Sequence, residues 1–236
     1  GIDMSALQAR KRHWVSDFAE YRREQLESDR FTLFRQSGRF IGPQEIELDD
    51  GTMIRADRIM VATGSVVDTP DVPGLANVPA WTSDDVLGLE SVPDSVIVLG
   101  GGIIACELGQ FLARAGSRVT LVQRGNHVLR EAGEPAARVI EQAFRDEDME
   151  VFTGTVIEGI EKTTAGIRVS FSHEGRAVTR EAGHLLNALG RRPNTSRLNL
   201  AAAGLRTGPR GHLLHDDWQQ TSQPGIYTGG DCAGPA

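Results

Sequence analysis

The sequence predicts an α/β fold in which a parallel sheet flanked by helices carries an antiparallel β meander, and three observations predict it. Residues 96–99 form an uninterrupted apolar run of β-branched character, the composition of a strand buried on both faces of a parallel sheet. That run enters Gly100, Gly101 and Gly102, after which Ile103, Leu108, Phe111 and Leu112 recur at helical spacing as far as Gly116. Residues 118–122 supply a second strand, which completes a β-α-β unit. Residues 155–161, 166–172 and 177–181 then alternate apolar and polar side chains with turns between them, the pattern of an antiparallel meander.

The glycine turn carries the chemistry. In the pattern GxGxxG/A the first glycine is Gly100, the second is Gly102, and Ala105 holds the third position. A missing side chain at Gly102 lets a pyrophosphate approach the backbone, while Ala105 is small enough for helix and strand to pack closely. The helix begins where its free N–H groups and positive dipole end can meet phosphate. Strand, turn, helix and second strand lie in the order that a dinucleotide cradle requires; the alternative is an ordinary tight turn between strand and helix. At the end of the second strand, a carboxylate would bind the ribose 2′-hydroxyl of NAD, yet Gln123 and Arg124 stand there. A carboxylate repels a 2′-phosphate, whereas an arginine forms a bidentate pair with one. NADP is therefore expected in preference to NAD, with Arg130 a second candidate for the phosphate. The plainer reading of Arg124 is a solvated loop cation.

In chain order, Met4, Leu7, Trp14, Phe18 and Tyr21 recur every three or four residues and predict an amphipathic helix over residues 4–27. Residues 31–34 and 39–41 read as short strands. Residues 45–48 and 52–56 flank Asp49, Asp50 and Gly51, a hairpin signal. Residues 57–62 form a strand that runs into Thr63, Gly64 and Ser65. Pro70, Pro73, Gly74 and Pro79 punctuate a linker and predict a domain boundary. Beyond the cradle, residues 135–148 read as a helix, and 150–152, 185–189 and 211–215 as strands. Residues 226–228 form a last strand, which delivers Asp231 to a turn through Gly229 and Gly230.

Composition narrows the partners. A formal net charge of −7 without a basic block argues against nucleic acid as the main partner. No apolar run approaches membrane-spanning length, and a cytoplasmic protein is expected. Cys106 and Cys232 are the two cysteines, too few for a disulfide framework and not spaced as a metal-binding CxxC. Cys106 reads as a small buried helix residue. His212 and His215 read as surface histidines, since no matching ligands accompany them, and no metal site is expected.

Four motifs in order, VATGS at 61–65, LGGGIIACE at 99–107, ALGRRPNT at 188–195 and TSQPGIYTGGDCAG at 221–234, resemble the flavin-dependent pyridine nucleotide-disulfide oxidoreductases. That family includes dihydrolipoamide dehydrogenase, glutathione reductase and mercuric reductase. The resemblance implies a Rossmann-like nicotinamide-nucleotide-binding domain at residues 74–190, inserted in a partial FAD-binding domain of similar type formed by residues 1–73 and 191–236. It places NADP against Gly100, Gly101, Gly102, Ile103, Ile104, Glu107, Gln123, Arg124, Arg130, Ala188, Leu189 and Gly190. It places FAD against Thr63, Gly64, Arg191, Gly230 and Asp231, with Asp231 accepting from the ribityl chain. Glu107 corresponds to the family glutamate near nicotinamide and flavin, where a carboxylate helps orient the reacting rings. Ile103 stands where a tyrosine often gates the nicotinamide pocket. The segment QRGNHVLRE at 123–131 is similar to that of mercuric reductase-like and glutathione reductase-like members, which use NADPH.

The family also opens with a second GxGxxG and a CxxxxC redox disulfide, and closes with a dimerisation domain that donates a histidine. None of these occurs in this sequence. The resemblance therefore implies an internal fragment of a longer homodimeric enzyme, which alone is expected to lack full activity. In that enzyme hydride passes from NADPH to FAD, and electrons go on to a disulfide, mercuric ion or similar acceptor. Two other readings stay open: a non-catalytic NADP(H)-binding redox sensor, and a ferredoxin or quinone reductase of the same fold without a redox disulfide.

Overall fold

The computed structural model describes residues 2–234. Two compact units emerge, one from residues up to Tyr21 together with Thr69–Gly190, the other from Arg22–Asp68 together with the chain from Arg191 onward. In chain order the elements are helix α1 (Met4–Leu26), strands β1 (Gly38–Gly42), β2 (Glu45–Leu48), β3 (Met53–Arg55), β4 (Ile59–Val61), β5 (Ser65–Val67) and β6 (Ala80–Trp81), and the short helix α2 (Ser83–Leu87). Next come β7 (Ser95–Leu99), α3 (Ile103–Ala115), β8 (Arg118–Val122), α4 (Glu134–Asp146) and β9 (Glu150–Phe152). The meander is β10 (Val156–Lys162), β11 (Ile167–His173) and β12 (Arg176–Ala182), and β13 (His184–Asn187), β14 (Arg191–Pro193) and β15 (Ile226–Thr228) close the chain.

The first unit is built on a five-stranded sheet of order β6-β13-β7-β8-β9, parallel at every pairing. Side chains of a strand point alternately to its two faces, and β7 follows the rule. Val96 and Val98 join Leu121, Leu186, Leu112 and Phe144 in the core shared with the helices. Ile97 and Leu99 join Leu185, Val122, Val169 and Phe171 in the core under the meander. Both faces are dry, which is why the run lacks polar alternation. Ile97, Leu99, Leu185 and Phe171 are fully buried, each contributing about 1.5–3 kcal/mol of apolar transfer. The meander pairs antiparallel in the order β10-β11-β12, as its alternation predicts. Helix α3 stops at Gly116, whose left-handed backbone (φ 116°) turns its N–H back to the carbonyls of Ala113 and Leu112.

Helix α1 forms where the spacing places it, but its apolar stripe is not a buried face. Met4 and Gln8 are buried, with the Gln8 amide donating to the carbonyls of Leu87 and Leu89 at 3.0 and 2.8 Å. Farther along, Trp14 is 54% exposed and Phe18 71%. Periodicity reports that a helix has an apolar side, not that anything lies against it.

The second unit contains the β1-β2-β3 hairpin sheet, the antiparallel pair β14-β5 and the parallel pair β15-β4. Phe40, Ile59, Val61, Leu205, Leu213, Ile226 and Cys232 form its core. The predicted turn at Asp49, Asp50 and Gly51 is present: Gly51 takes φ 82°, and the Asp50 carboxylate accepts the Thr52 N–H at 2.9 Å. Two expectations fail. Residues 31–34 form no strand, because no ladder partner among the described residues takes up their backbone groups, and Phe31, Leu33 and Phe34 are exposed. Residues 211–215 make only single bridges, Leu213 to Thr207 and Ala233 and His215 to Thr221. Strand β5 follows the Thr63 and Gly64 turn and was not expected; its partner β14 lies far away in sequence.

Candidate functional site

In the first unit, β7 leads straight into the glycine turn, and the three glycines are there for different reasons. Gly100 has φ 112°, and a Cβ on it would sit 2.4 Å from the Ala188 carbonyl oxygen. Its N–H donates to Val122 O at 2.9 Å, and Ala188 N–H donates to Leu99 O at 3.0 Å, so the carboxyl ends of β8, β7 and β13 are joined at this point. A Cβ on Gly101 would lie 2.9 Å from the Gln123 side chain. Gly102, by contrast, is extended (φ −77°, ψ −176°) and caps α3, and a Cβ built there meets nothing within 4 Å. The close packing of the turn thus accounts for Gly100 and Gly101. Gly102 faces open space.

Behind Gly102 the first intrahelical bond is Cys106 N–H to Gly102 O at 3.0 Å, which leaves the N–H groups of Ile103, Ile104 and Ala105 without an acceptor inside the helix. Such a terminus favours an anion through its dipole and its free donors. In the sheet order, β8 lies on one side of β7 and β13 on the other, the switch point at which open α/β sheets bind ligands beyond their strand ends. A dinucleotide's pyrophosphate fits this cradle: the donors have no acceptor among the described residues, and the one glycine whose Cβ would intrude has open space before it. Ile103 is 66% exposed, and Glu107, one turn on, shares its helix face and is exposed. Ile104 is half-buried. Ala105 is buried, and one turn later a Cβ on Gly109 would touch Met149 at 3.4 Å. Both small residues let α3 lie close on the sheet. Gly109 was not singled out in the sequence, although its spacing of one turn from Ala105 is a legible signal.

After β8, the Gln123 N–H donates to Phe152 O at 2.8 Å and its carbonyl accepts from Thr155 N–H at 3.1 Å. The loop then folds back, so that Leu129, in left-handed conformation (φ 46°), donates to Gly101 O at 2.7 Å. Arg124 and Arg130 stand on this loop with exposed side chains, and neither joins an ion pair among the described residues. Ala188 and Leu189 leave β13 half-buried at the same sheet edge, Leu189 N–H donating to Asn187 Oδ1 at 3.2 Å. Gly190 follows with φ 140° and is exposed. Cys106 is buried under the turn with its sulfur 3.7 Å from Gly101 O. Burial, and then the charges of Glu107 and Glu141, push its thiol up to about 11, so it is a packing residue.

The second unit gathers Gly64, Arg191 and Asp231 around Ser65. The Ser65 hydroxyl donates to Asp231 Oδ2 at 2.7 Å and accepts from Arg191 Nε at 2.7 Å, while Arg191 Nη2 donates to the Ser65 carbonyl at 2.8 Å. Asn194 donates from its N–H to Gly64 O at 2.9 Å and from its amide to Thr63 O at 3.3 Å. Gly64 and Gly230 have φ 69° and 70°, and a Cβ on either would meet nothing within 4 Å. The arrangement suits a hydroxylated ligand such as the FAD ribityl chain: a fixed carboxylate beside two glycines that leave room. Ser65 and Asn194 hold the set together; sequence reasoning places Ser65 in the turn beside the flavin without its linking role, and gives Asn194 no site role. Among the described residues no three His, Cys, Asp or Glu groups are placed to hold a metal. No helix there is long and apolar enough to cross a membrane.

Residues 8–236 match the family described as pyridine nucleotide-disulphide oxidoreductase. The chain belongs to this family. It is 33% identical over 231 residues to a mercuric reductase of Bacillus cereus, covering 98% of this chain and 36% of that protein. It is 38% identical over 206 residues to a mercuric reductase of Acidithiobacillus ferrooxidans, covering 85% of this chain and 37% of that protein. The chain therefore spans well under half the length of these curated relatives. Its fold is similar to that of the HOCl-induced flavoprotein disulfide reductase RclA from Escherichia coli, with TM-score 0.89 at 24% identity over the whole of this chain and 54% of that one. Membership of this pyridine nucleotide-disulphide oxidoreductase family accounts for the α/β architecture.

Proposed function

We propose that this chain supplies the nicotinamide-nucleotide site, at residues 74–190, and part of the FAD site, at residues 1–73 and 191–236, of a cytoplasmic, homodimeric flavin-dependent NAD(P)H oxidoreductase. The observation that carries the reading is Gly102, open on its ligand side at the N-terminus of α3 and at the switch point of a parallel sheet. Gly102 and the free N–H groups of Ile103, Ile104 and Ala105 bind the pyrophosphate. Arg124 and Arg130, both exposed and in no ion pair among the described residues, take the 2′-phosphate and select NADP. Ala188, Leu189 and Gly190 border the cleft at the end of β13. Glu107 and Ile103 present a carboxylate and an apolar side chain on the nicotinamide side, where the carboxylate orients the ring and the isoleucine excludes water. Asp231, fixed through Ser65 by Arg191, accepts from a flavin ribityl hydroxyl, and Thr63, Gly64 and Gly230 leave the flavin room. When bound, the two cofactors supply hydride transfer from nicotinamide to flavin. The electrons then pass to a disulfide, a mercuric ion or a similar acceptor.

Calorimetric titration of the chain with NADPH and NADH, alongside Arg124→Ala, tests the nicotinamide half. Tighter binding of NADPH that falls to the NADH level in the variant supports the reading. Equal affinity for both coenzymes in the wild type overturns the NADP assignment, and binding of neither overturns the site.

A further inference from the structure

We propose that Glu141, on α4, is the positioning residue that holds the 123–131 loop in the shape that selects the phosphorylated coenzyme. The inference deepens the reading above and rests on it. Among the described residues Glu141 is the one carboxylate or basic side chain that is buried, at 5% exposure. A buried carboxylate carries a desolvation cost that a leucine at the same helix position would not, so its partners matter. Its Oε1 accepts the Val128 N–H at 2.9 Å and faces His127 Nδ1 at 3.3 Å. On the other side of the ring, His127 Nε2 lies 3.7 Å from Glu134 Oε1, and Glu134 is itself held by Arg138 at 2.6 Å. Val128 is fully buried, and Leu129 donates to Gly101 O at 2.7 Å. The middle of the loop is thus pinned between α4 and the glycine turn. Arg124 and Arg130 flank this pinned stretch with exposed side chains.

Two arginines that must meet one phosphate bind it better when the loop between them is already ordered, because ordering a loop on binding subtracts from affinity. A coenzyme without the 2′-phosphate makes no use of those arginines. Both coenzymes share the glycine turn that the loop braces through Leu129, but the arginines act on the phosphorylated one alone. The loop's shape therefore acts more strongly on NADPH, and this difference separates positioning from a general contribution to folding.

The experiment is calorimetric titration of wild type, Glu141→Ala and Glu141→Gln with NADPH and with NADH. The expected result is that Glu141→Ala weakens NADPH about tenfold, the scale of one charge-assisted hydrogen bond, and leaves NADH within about twofold. Glu141→Gln keeps an acceptor for the Val128 N–H and is expected to recover most of the loss. Equal weakening of both coenzymes, or no change in either, overturns the proposal. Should Glu141→Ala fail to fold, His127→Ala decides it, because His127 lies on the loop and is only part-buried. A selective loss of NADPH affinity supports the proposal, and an unselective or absent loss overturns it. Wild type that shows no preference for NADPH overturns the NADP reading itself, and is distinguished by appearing before any variant is compared.

Discussion

Replacing Gly102 with alanine separates the glycine that faces open space, proposed for the ligand, from the two that pack the turn. At Gly102 the backbone is extended and a Cβ meets nothing within 4 Å. Alanine there restricts the unfolded chain, which stabilises by about 0.4–1 kcal/mol, and is a poorer N-cap than glycine, which costs a comparable ~0.5–1 kcal/mol. The two effects offset, so the melting temperature should stay within about 2 °C of wild type. At Gly100 the same change places a Cβ 2.4 Å from the Ala188 carbonyl oxygen and 2.9 Å from its carbon, on a backbone with φ 112°. The positive φ alone costs on the order of 1–3 kcal/mol, and the overlap forces the exit of β13 to move. A drop of at least about 4 °C follows. Scanning calorimetry measures both, and a parallel NADPH titration completes the comparison. Gly102→Ala should fold like wild type yet bind NADPH at least about tenfold more weakly, since its methyl occupies the space through which a pyrophosphate approaches. A Gly102→Ala protein that binds NADPH as tightly as wild type would refute the assignment of the open side to the ligand. One that melts as early as Gly100→Ala would show that Gly102 is needed for folding instead.

Other outcomes follow from the titratable groups. His215 has one ring nitrogen 2.8 Å from Asp216 O and the other 2.7 Å from Gly234 O, and these carbonyls, Asp216 first, raise its pKa above the ordinary histidine value. A raised folded-state pKa contributes stability that is fully present below about pH 6.5 and is lost as pH rises through the folded value. The melting-temperature gap between wild type and His215→Phe should therefore be larger at about pH 5.5 than at about pH 8.5; an equal gap would show that the imidazolium is not favoured. Cys106, with its thiol at about 11, is ionised to only about one part in a thousand near pH 8. Native protein should react slowly with a disulfide reagent at this position, and fast labelling of Cys106 without denaturant would contradict its burial.

What could be read in the sequence is what depends on neighbours in sequence. The all-apolar run of β7 announces a strand covered on both faces, and the alternation of Ile167, Val169 and Phe171 in β11 announces a sheet packed on one side, because each pattern is the direct imprint of local geometry on solvent exposure. The glycine turn and the helix after it are legible for the same reason. Contacts between distant segments leave no such imprint. Ser65 joins Arg191 across 126 residues and Asp231 across 166, so a serine in a turn gives no sign that it links two site residues. Gly100 and Gly102 look alike in the motif, and only the Ala188 carbonyl, delivered by β13, shows that the first is needed for packing while the second is open. Glu141 is the sharpest case. On α4 it is one of several acids in a charged helix, and nothing in its spacing distinguishes it from Glu134, which is exposed on the same helix. Only the return of the 123–131 loop over α4 buries one carboxylate and leaves the other in solvent. A motif search aimed at the arginines would therefore pass over the carboxylate that holds the Val128 N–H between them.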